Sequence, residues 1–354
     1  MKRSKPPTPR PRRAKGAKPA TGRRPGIIFN ALPTHRDIQV QLTQRGEPVM
    51  IFPGRTVLFD DMKSYLARLS RPFWHPGSEG QTLRNFDWIV NMLADPDHYD
   101  QALRFLDRNF AANPLPIFNR PAEVLKTRRD LVTHHLSGID SLICPACLRF
   151  SPTSPQCFRE TFEKGEFAYP VLIRPAGSHT GHDLLKIDTT EDWDKIHQIP
   201  WGGRTLYMTQ WIDFRSDKGE WRKLRLSITS ESVRLRHILY GDSWLIHSAH
   251  RDTDIVNREL DILLNADDWA ALQTLGQNIR SRLKLDFFGV DIGWKSDSAF
   301  VLFEANPSMS ILSYHNMPTL RREDYTANLQ RIEQDVWRAL ERVTKIKRTG
   351  KIDK

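Results

Sequence analysis

The chain has few cysteines and lacks any long apolar run, and both features narrow the class of protein. Three cysteines in 354 residues are too few for a disulfide framework. Residues 144–147 form a CxxC motif, but no second CxxC completes a structural zinc site. No stretch approaches the ~20 consecutive apolar residues that a membrane-spanning helix needs. We therefore expect a cytoplasmic protein without a membrane span.

Acidic side chains are missing from residues 1–25, which hold ten Lys and Arg together with six Pro. A segment of this composition cannot bury a core, so we predict that it is disordered. It also lacks the apolar region of a secretory signal. Two interpretations stay open: an incidental solubilising tail, or a tail that contacts RNA, anionic lipid or an acidic partner.

The positive charge of the chain is concentrated at its two ends. Residues 1–25 contribute +10 and residues 342–354 contribute +5 to the formal net charge of +11, which leaves −4 for the body between them. The body is therefore not a basic nucleic-acid-binding surface. We expect residues 346–354 to form a second basic tail.

Residues 26–115 have the pattern of a small α/β domain. Short apolar segments at 27–29, 49–52 and 86–92 are typical of buried strands, and residues 60–69 and 97–110 have helical spacing. Strands that alternate with helices favour an α/β architecture. No motif in this segment identifies a ligand.

Residues 116–138 predict a helix that Asn119 caps at its N-terminus. The helix carries Lys126, Arg128 and Arg129, and each of these three cations could bind a phosphate. The alternative is a solvated basic face.

Residues 169–181, YPVLIRPAGSHTG, predict a strand followed by a loop of small residues. Arg174 alternates with apolar residues, so it points away from the face that they bury. The loop, with Ser178 and Gly181, can present backbone N–H groups to phosphate oxygens. Arg174 would add a forked pair of donors. Residues 178–182 are a candidate lid.

Residues 221–240 predict a hairpin rich in arginine. Strand alternation places Lys223 with Arg225 on one face, and Arg234 with Arg236 on one face of the next strand. Arginines in an apolar sheet need partners, so they face either carboxylates of the protein or an anionic ligand. The sequence leaves both alternatives open.

Residues 287–310, FFGVDIGWKSDSAFVLFEANPSMS, predict a second hairpin with its turn at 295–298. We expect the first strand to end at Asp291, beside Glu304 and Asn306 on the second strand. Two carboxylates and an amide oxygen suit Mg²⁺ rather than zinc. The alternative is an ordinary hairpin with a polar rim.

These segments, in this order, resemble the ATP-grasp superfamily, most closely its branch of glutathione synthases and ribosomal-protein glutamate ligases. The resemblance covers about residues 116–312. FNRPAEVLKTRRDLV is similar to the first helix of that branch, and YPVLIRPAGSHTG to its strand and phosphate loop. LYMTQWID resembles the connector that borders adenine, and VDIGW followed by LFEANPS resembles the D…E-x-N metal signature. RPAGSHTG, WRKLR and SWLIH also look like an uncharacterised bacterial subgroup.

The resemblance implies an α+β fold in which two lobes, residues 116–200 and 201–345, clasp ATP after the small α/β domain at 26–115. It also implies roles for individual residues. Those roles are Mg²⁺ or Mn²⁺ binding by Asp291, Glu304 and Asn306; nucleotide binding by Lys126 or Arg129, Arg174, Ser178, Gly181, Gln210, Trp211, Ile212 and Asp213; and catalysis by Arg225 and Arg174. Arg174 stands where the family usually has Lys, which keeps the charge but changes its geometry.

The function that the resemblance implies is an ATP- and Mg²⁺-dependent carboxylate–amine ligase acting through an acyl phosphate. Its partners would be ATP and a carboxylate/amine substrate pair, and a homo-oligomer stays open. One alternative is an ATP-grasp protein that performs another phosphoryl transfer or binds nucleotide without ligation. A second is a non-enzymatic protein that binds RNA or a partner through its basic tail.

Overall fold

The computed structural model describes residues 25–34, 39–42, 46–75, 86–110, 115–178, 181, 183–246, 252–313 and 318–346. The predicted basic tails lie outside the described residues except for positions 25 and 346, and so does most of the candidate lid at 178–182. Among the described helices, none has the length and apolar character needed to cross a bilayer.

The N-terminal unit, residues 25–118, is built on a parallel sheet. Its elements are β1 (Gly26–Ala31), β2 (Gln39–Leu42), β3 (Pro48–Ile51), α1 (Asp60–Leu69), β4 (Ser70–His75), β5 (Ile89–Asn91), α2 (Pro96–Phe110) and β6 (Ile117–Phe118). Strands β4, β1, β5 and β6 pair in that order, all parallel. Parallel strands with helical connections confirm the predicted α/β character.

The strand predicted at 49–52 is present, but the prediction that it is buried is wrong. Strand β3 pairs only with β2 in a separate two-stranded hairpin among the described strands. The side chains of Val49 and Met50 are exposed. A short apolar segment therefore forms a strand here without joining the core, because no described element covers it.

The predicted single helix at 116–138 is two helices, α3 (Pro121–Leu125) and α4 (Arg129–Leu136). Asn119 does not cap either of them. It is fully buried in a left-handed conformation, φ 53°, and its side-chain oxygen accepts the N–H groups of Asp286 and Phe287 at 2.9 and 3.1 Å. The capping prediction is wrong because this side chain satisfies backbone groups of a distant strand.

A second, antiparallel sheet follows. The elements from here on are β7 (Leu142–Ile143), β8 (Cys147–Phe150), α5 (Gln156–Lys164), β9 (Val171–Pro175), β10 (Leu185–Ile187), a 3₁₀ segment (Thr190–Gln198) and β11 (Leu206–Gln210). Strands pair in the order β10-β9-β11-β8. Strand β11 starts after residue 200 yet belongs to this sheet, and the predicted lobe boundary at that position remains a prediction.

The third sheet carries the predicted hairpins. Its elements are β12 (Trp221–Thr229), β13 (Val233–Gly241), α6 (Thr253–Leu264), a 3₁₀ segment (Ala266–Asp268), α7 (Ala270–Leu283), β14 (Phe287–Ser296), β15 (Ala299–Asn306) and α8 (Arg322–Thr344). The order is β13-β12-β14-β15-β7. One face of the sheet packs its apolar side chains on α4 and α7, which leaves the other face available for polar side chains.

Strand β14 does not end at Asp291, as the sequence predicted, but continues five residues further to Ser296. Asp291 lies in the middle of the strand, opposite Arg225 on β12 and Glu304 on β15. The strand can continue past Asp291 because the cationic side chain of Arg225 on the adjacent strand lets the sheet bury this carboxylate.

Candidate functional site

A cavity of about 820 Å³ lies between the antiparallel sheet and the polar face of the third sheet. Of the predicted site residues, those that line it are Arg129, Arg174, Gly181, Gln210, Trp211, Ile212, Arg225, Asp291, Glu304 and Asn306. Lys126, Ser178 and Asp213 are not among its lining residues. The tertiary structure therefore brings ten of the thirteen predicted residues to one place.

Asp291 is held by two cations on β12. Arg225 donates from Nε and Nη2 to the two carboxylate oxygens of Asp291 at 2.7 and 2.8 Å, and Lys223 Nζ lies 3.6 Å from Oδ2. Burial opposes the charge of Arg225, but the facing Asp291 outweighs this effect and raises the pKa of the guanidinium. Arg225 therefore stays charged inside the cavity wall.

Glu304 and Asn306 lie on β15, beside Asp291 on β14. The Glu304 carboxylate accepts a hydrogen bond from Arg129 Nη2 at 2.9 Å, and Asn306 Oδ1 accepts one from Ser308 Oγ at 2.9 Å. Because Asp291 and Glu304 are register partners, their side chains share one face of the sheet. The three predicted metal ligands thus form one wall of the cavity.

The donor set fits Mg²⁺. It comprises two carboxylates and an amide oxygen, which are hard ligands. Within the described part of the chain, no group of three or more His, Cys, Asp or Glu could hold a metal. A cation here would therefore need further oxygens from water or phosphate, which is how Mg²⁺ is usually bound.

The three cations of the predicted helix have different partners. Arg129 lines the cavity and also donates to the Phe303 carbonyl at 2.7 Å. Lys126 pairs with Glu123, and Arg128 makes a two-fold contact with Asp130 at 2.7 and 2.9 Å. Of the three, only Arg129 lines this cavity.

Arg174 extends from β9 into the same end of the cavity, as strand alternation predicts. Its guanidinium donates to the Ser178 hydroxyl at 3.2 Å and to the Ser178 carbonyl. Burial, followed by repulsion from Arg129, lowers the pKa of Arg174 to about 9. Two crowded guanidinium groups make this end of the cavity suited to a polyanion.

The backbone amides at the start of the β9–β10 loop donate within the protein. Ala176 N bonds to Thr205 O at 2.9 Å, Gly177 N to Asp97 Oδ2 at 3.1 Å, and Ser178 N to Pro175 O at 3.3 Å. These three amides are therefore occupied, in contrast to the expectation that the loop presents them to phosphate.

The opposite end of the cavity is apolar. It is lined by Leu172, Leu184, Trp211, Ile212, Phe214, Leu239, Trp244 and Ile246. The amide of Gln210 bonds to Ala168 and Pro170 at 2.9–3.0 Å, so it ties strand ends together. Asp213 pairs with Arg215 at the surface. Of the predicted connector, Trp211 and Ile212 supply the apolar surface that a nucleobase needs.

Three basic residues among the described lining of the cavity were not predicted as site residues: Lys223, Arg236 and His237. Lys223 alternates with Arg225, so its position could have been inferred from the sequence. The register of β13 shifts at a bulge opposite Arg225, which no sequence pattern reveals.

The arginines of this hairpin have separate partners. Arg234 pairs with Asp267 and Asp335 at 2.5 and 2.8 Å, and Arg225 pairs with Asp291. Arg236 donates to the carbonyls of Ile311 and Ser313. Arg225 and Arg234 therefore face protein carboxylates, which was one of the two alternatives. Arg225 and Arg236 also line the cavity, and their contact with an anionic ligand there remains a prediction.

Comparisons with known proteins give distant structural likenesses. No family model and no curated protein matches the chain. A RimK domain ATP-grasp protein from Sphaerobacter thermophilus is 15% identical, with 88% of this chain and 99% of that chain covered and a TM-score of 0.45. The VanG D-Ala:D-Ser ligase from Enterococcus faecalis is 13% identical (92% and 100% covered, TM-score 0.49), and the D-alanine–D-alanine ligase from Bacillus anthracis is 12% identical (92% and 99% covered, TM-score 0.48). Because these TM-scores lie below 0.5, function has to be inferred from the residues of the cavity.

Proposed function

We propose that the protein is an ATP-grasp enzyme that uses ATP and Mg²⁺ to join a carboxylate to an amine through an acyl phosphate. The observation that carries this proposal is the division of the cavity into two ends. One end contains arginines together with the side-chain oxygens of Asp291, Glu304 and Asn306. The other end is apolar and contains Trp211. A nucleoside triphosphate has the same division between its phosphates and its base.

The charge of the cavity supports a nucleotide. Among the described residues, the cationic side chains that line it are Arg129, Arg174, Lys223, Arg225 and Arg236, and the acidic ones are Asp291 and Glu304. An excess of buried positive charge is costly unless an anion joins it. A triphosphate supplies that anion, and a substrate carboxylate would add to it.

Phosphoryl transfer to a carboxylate needs positioning and charge stabilisation rather than a nucleophilic side chain. Asp291, Glu304 and Asn306 would hold Mg²⁺, which neutralises charge on the phosphates when bound. Arg174 and Arg129 would orient the phosphates, and Arg225 would steady the transferring group or the substrate carboxylate. A carboxylate oxygen attacks the γ-phosphorus and ADP leaves; the amine then attacks the acyl carbon and phosphate leaves.

The proposal includes the arrangement of the chain. Residues 116–200 and 201–345 would form the two lobes around the nucleotide, and the N-terminal unit would precede them. The two sheets on either side of the cavity support two lobes, although β11 (Leu206–Gln210) pairs with β8 and β9 and would extend the first lobe past residue 200.

A second candidate, nucleotide binding without ligation, is favoured by the ion pairs. Arg225 on Asp291 and Arg129 on Glu304 already neutralise both carboxylates. A protein that only binds nucleotide would have no need to free these carboxylates for a metal. The two candidates make different predictions about products.

The test is ADP release with product masses, measured across amino acids and peptides. Millimolar Mg·ATP should raise the melting temperature, because a ligand that binds only the native state stabilises it. Ligation predicts ADP release that depends on both substrates and a product lighter than their sum by one water. Nucleotide-dependent stabilisation without such a product favours the second candidate. A melting temperature that does not change with ATP or ADP contradicts both candidates.

A further inference from the structure

The start of the β9–β10 loop is fastened to the N-terminal unit by one carboxylate. Asp97, in the first turn of α2, accepts the N–H of Gly177 at Oδ2 (3.1 Å) and the hydroxyl of Tyr207 at Oδ1 (2.6 Å). Gly177 is the second residue after β9, and Tyr207 lies on the neighbouring strand β11. Both oxygens of Asp97 are therefore used to hold the antiparallel sheet at the point where the loop leaves it.

The same contact restricts the shape of the loop. Gly177 has φ of +73°, and a Cβ atom added there would lie 3.1 Å from Cε1 of His98, the residue after Asp97. The Asp97 side chain is only 12% exposed. Close packing and a left-handed backbone together fix where Gly177 sits on α2.

The residue after Gly177 holds the cavity arginine. Ser178 receives hydrogen bonds from Arg174 at its hydroxyl and its carbonyl. A displacement of Gly177 would move Ser178, and with it the guanidinium that lines the phosphate end of the cavity. Asp97 itself is not a lining residue of that cavity.

We propose that Asp97 is a positioning residue for nucleotide binding, which acts through Gly177 and Ser178 to aim Arg174 at the phosphates. The inference rests on the proposed nucleotide site. It makes the N-terminal unit part of the nucleotide affinity, although that unit supplies no predicted nucleotide ligand.

The charge around Asp97 agrees with this role. Burial, and then the neighbouring Asp95, raise the pKa of Asp97, while the hydrogen bonds from Tyr207 and Gly177 lower it. Arg149 Nε lies 3.8 Å from Oδ1. A buried carboxylate depends on its donors, so Asp97 and the loop stabilise each other in one geometry.

The experiment compares two ligands by calorimetry: a non-hydrolysable ATP analogue with Mg²⁺, and adenosine. Asp97→Ala should weaken binding of the analogue about three- to tenfold, the effect of one or two lost hydrogen bonds, and leave adenosine affinity unchanged. Asp100→Ala is the matched control, since Asp100 lies on the same helix and pairs with Arg104 at the surface. It should leave both affinities unchanged.

A second pair of variants guards against loss of folding. Tyr207→Phe removes the hydroxyl that Asp97 accepts, and Tyr169→Phe removes a hydroxyl that accepts Trp193 Nε1 away from the loop. Of these two variants, only Tyr207→Phe should weaken binding of the ATP analogue. Its effect on this affinity should not add to that of Asp97→Ala in the double variant. Hydrogen exchange of the Gly177 amide should accelerate in both Asp97→Ala and Tyr207→Phe.

Each outcome decides the matter. If the wild-type protein binds neither ligand, the proposed function fails and the inference fails with it. If the wild type binds the analogue and the Asp97 and Tyr207 variants bind it equally well, only the inference fails. If both variants lose analogue and adenosine affinity to the same extent, Asp97 has a general structural role and the inference is again overturned.

Discussion

The two carboxylates of the cavity wall each have an arginine partner, and these partners are different residues. Asp291 faces Arg225 on the adjacent strand, while Glu304 faces Arg129, which is 175 positions earlier in the chain. Removing one member of a partly buried ion pair lowers the stability of the protein, because the other charge is left unpaired. Each member of such a pair in this cavity therefore has both a structural and a proposed functional effect, and experiments have to separate the two.

Glu304→Gln should separate them. The amide can still accept from Arg129, and Arg129 keeps its bond to the Phe303 carbonyl, so we expect a loss of stability of only about 1 kcal/mol. ADP release should fall by about 10²-fold or more, because a ligand for the metal in the transition state is lost. Both quantities are measured on the same preparation. Glu123→Gln, which removes the partner of Lys126 outside the cavity, is the control. A Glu304→Gln protein that is destabilised but still active would contradict the metal site.

Arg129 and Lys126 give a matched comparison of cations. Arg129→Gln should weaken Mg·ATP binding by about tenfold, since a charge-assisted contact to phosphate is lost. Lys126→Gln should have no such effect, because Lys126 pairs with Glu123 instead. Calorimetric titration of both variants checks this, and equal affinities for the two would show that Arg129 does not contact phosphate.

The three cysteines should differ in reactivity. Hydrogen bonds from the Ser154 and then the Thr153 hydroxyl lower the pKa of Cys157 to about 7, whereas burial raises the pKa of both Cys144 and Cys147 to about 11. At pH 7 a large share of Cys157 is thiolate, the reactive form, and the share falls as the pH drops below 7. Brief iodoacetamide treatment between pH 6 and 8, read by mass spectrometry, should label Cys157 first. Preferential labelling of Cys144 would contradict the assigned environments.

At the scale of elements, the cavity depends on how α3 and β14 are joined. The buried Asn119 precedes α3, and its side chain bonds to the backbone of Asp286 and Phe287 at the start of β14, including the Phe287 carbonyl at 2.8 Å. Strand β14 then carries Asp291, and α4 carries Arg129. The contact therefore sets the position of the helix cation relative to the strand carboxylates.

Asn119→Ala should cost about 2–4 kcal/mol of unfolding free energy, because two buried N–H groups and one carbonyl lose their partner. The left-handed backbone adds to the penalty for a residue other than Asn or Gly. Denaturant unfolding measures the loss, with Asn109→Ala as control, since Asn109 is exposed and bonds only within its own helix. A loss no greater than that of the control would show that the junction is not held by this side chain.

At the scale of the whole molecule, the antiparallel sheet and the third sheet enclose the cavity, and the basic segments lie at the chain ends. The first described residue already belongs to the fold, since the Pro25 carbonyl accepts the N–H of Asp87 at 3.3 Å. The charge excess before it belongs to residues outside the described range. Nucleotide binding by the body should therefore not depend on that excess.

Deleting residues 1–24 should leave the Mg·ATP affinity and melting temperature unchanged. The cavity is lined by residues between 129 and 325, and the deletion spares the Pro25 carbonyl. Thermal shift with and without Mg·ATP checks both quantities. If the substrate is a large acidic partner, the deletion should instead weaken its binding and flatten the salt dependence, whereas loss of nucleotide binding itself would show that the tail contributes to the site.

Patterns that are local in the chain could be predicted from the sequence. Helical spacing identified α1 at its observed bounds, and period-two alternation placed Arg174 on the open face of β9. The same alternation put Glu304 and Asn306 on one face of β15. These patterns are legible because a helix or strand repeats the same geometry over neighbouring residues.

Only the tertiary structure decided which charges meet. Three cations of one predicted helix were equivalent in the sequence, but the break between α3 and α4 turns Arg129 alone of them into the cavity. Asp97 gave no sign of its contact with Gly177, which is 80 positions away. Such pairings depend on how whole elements pack, and packing is set by the sum of many distant contacts that no local period records.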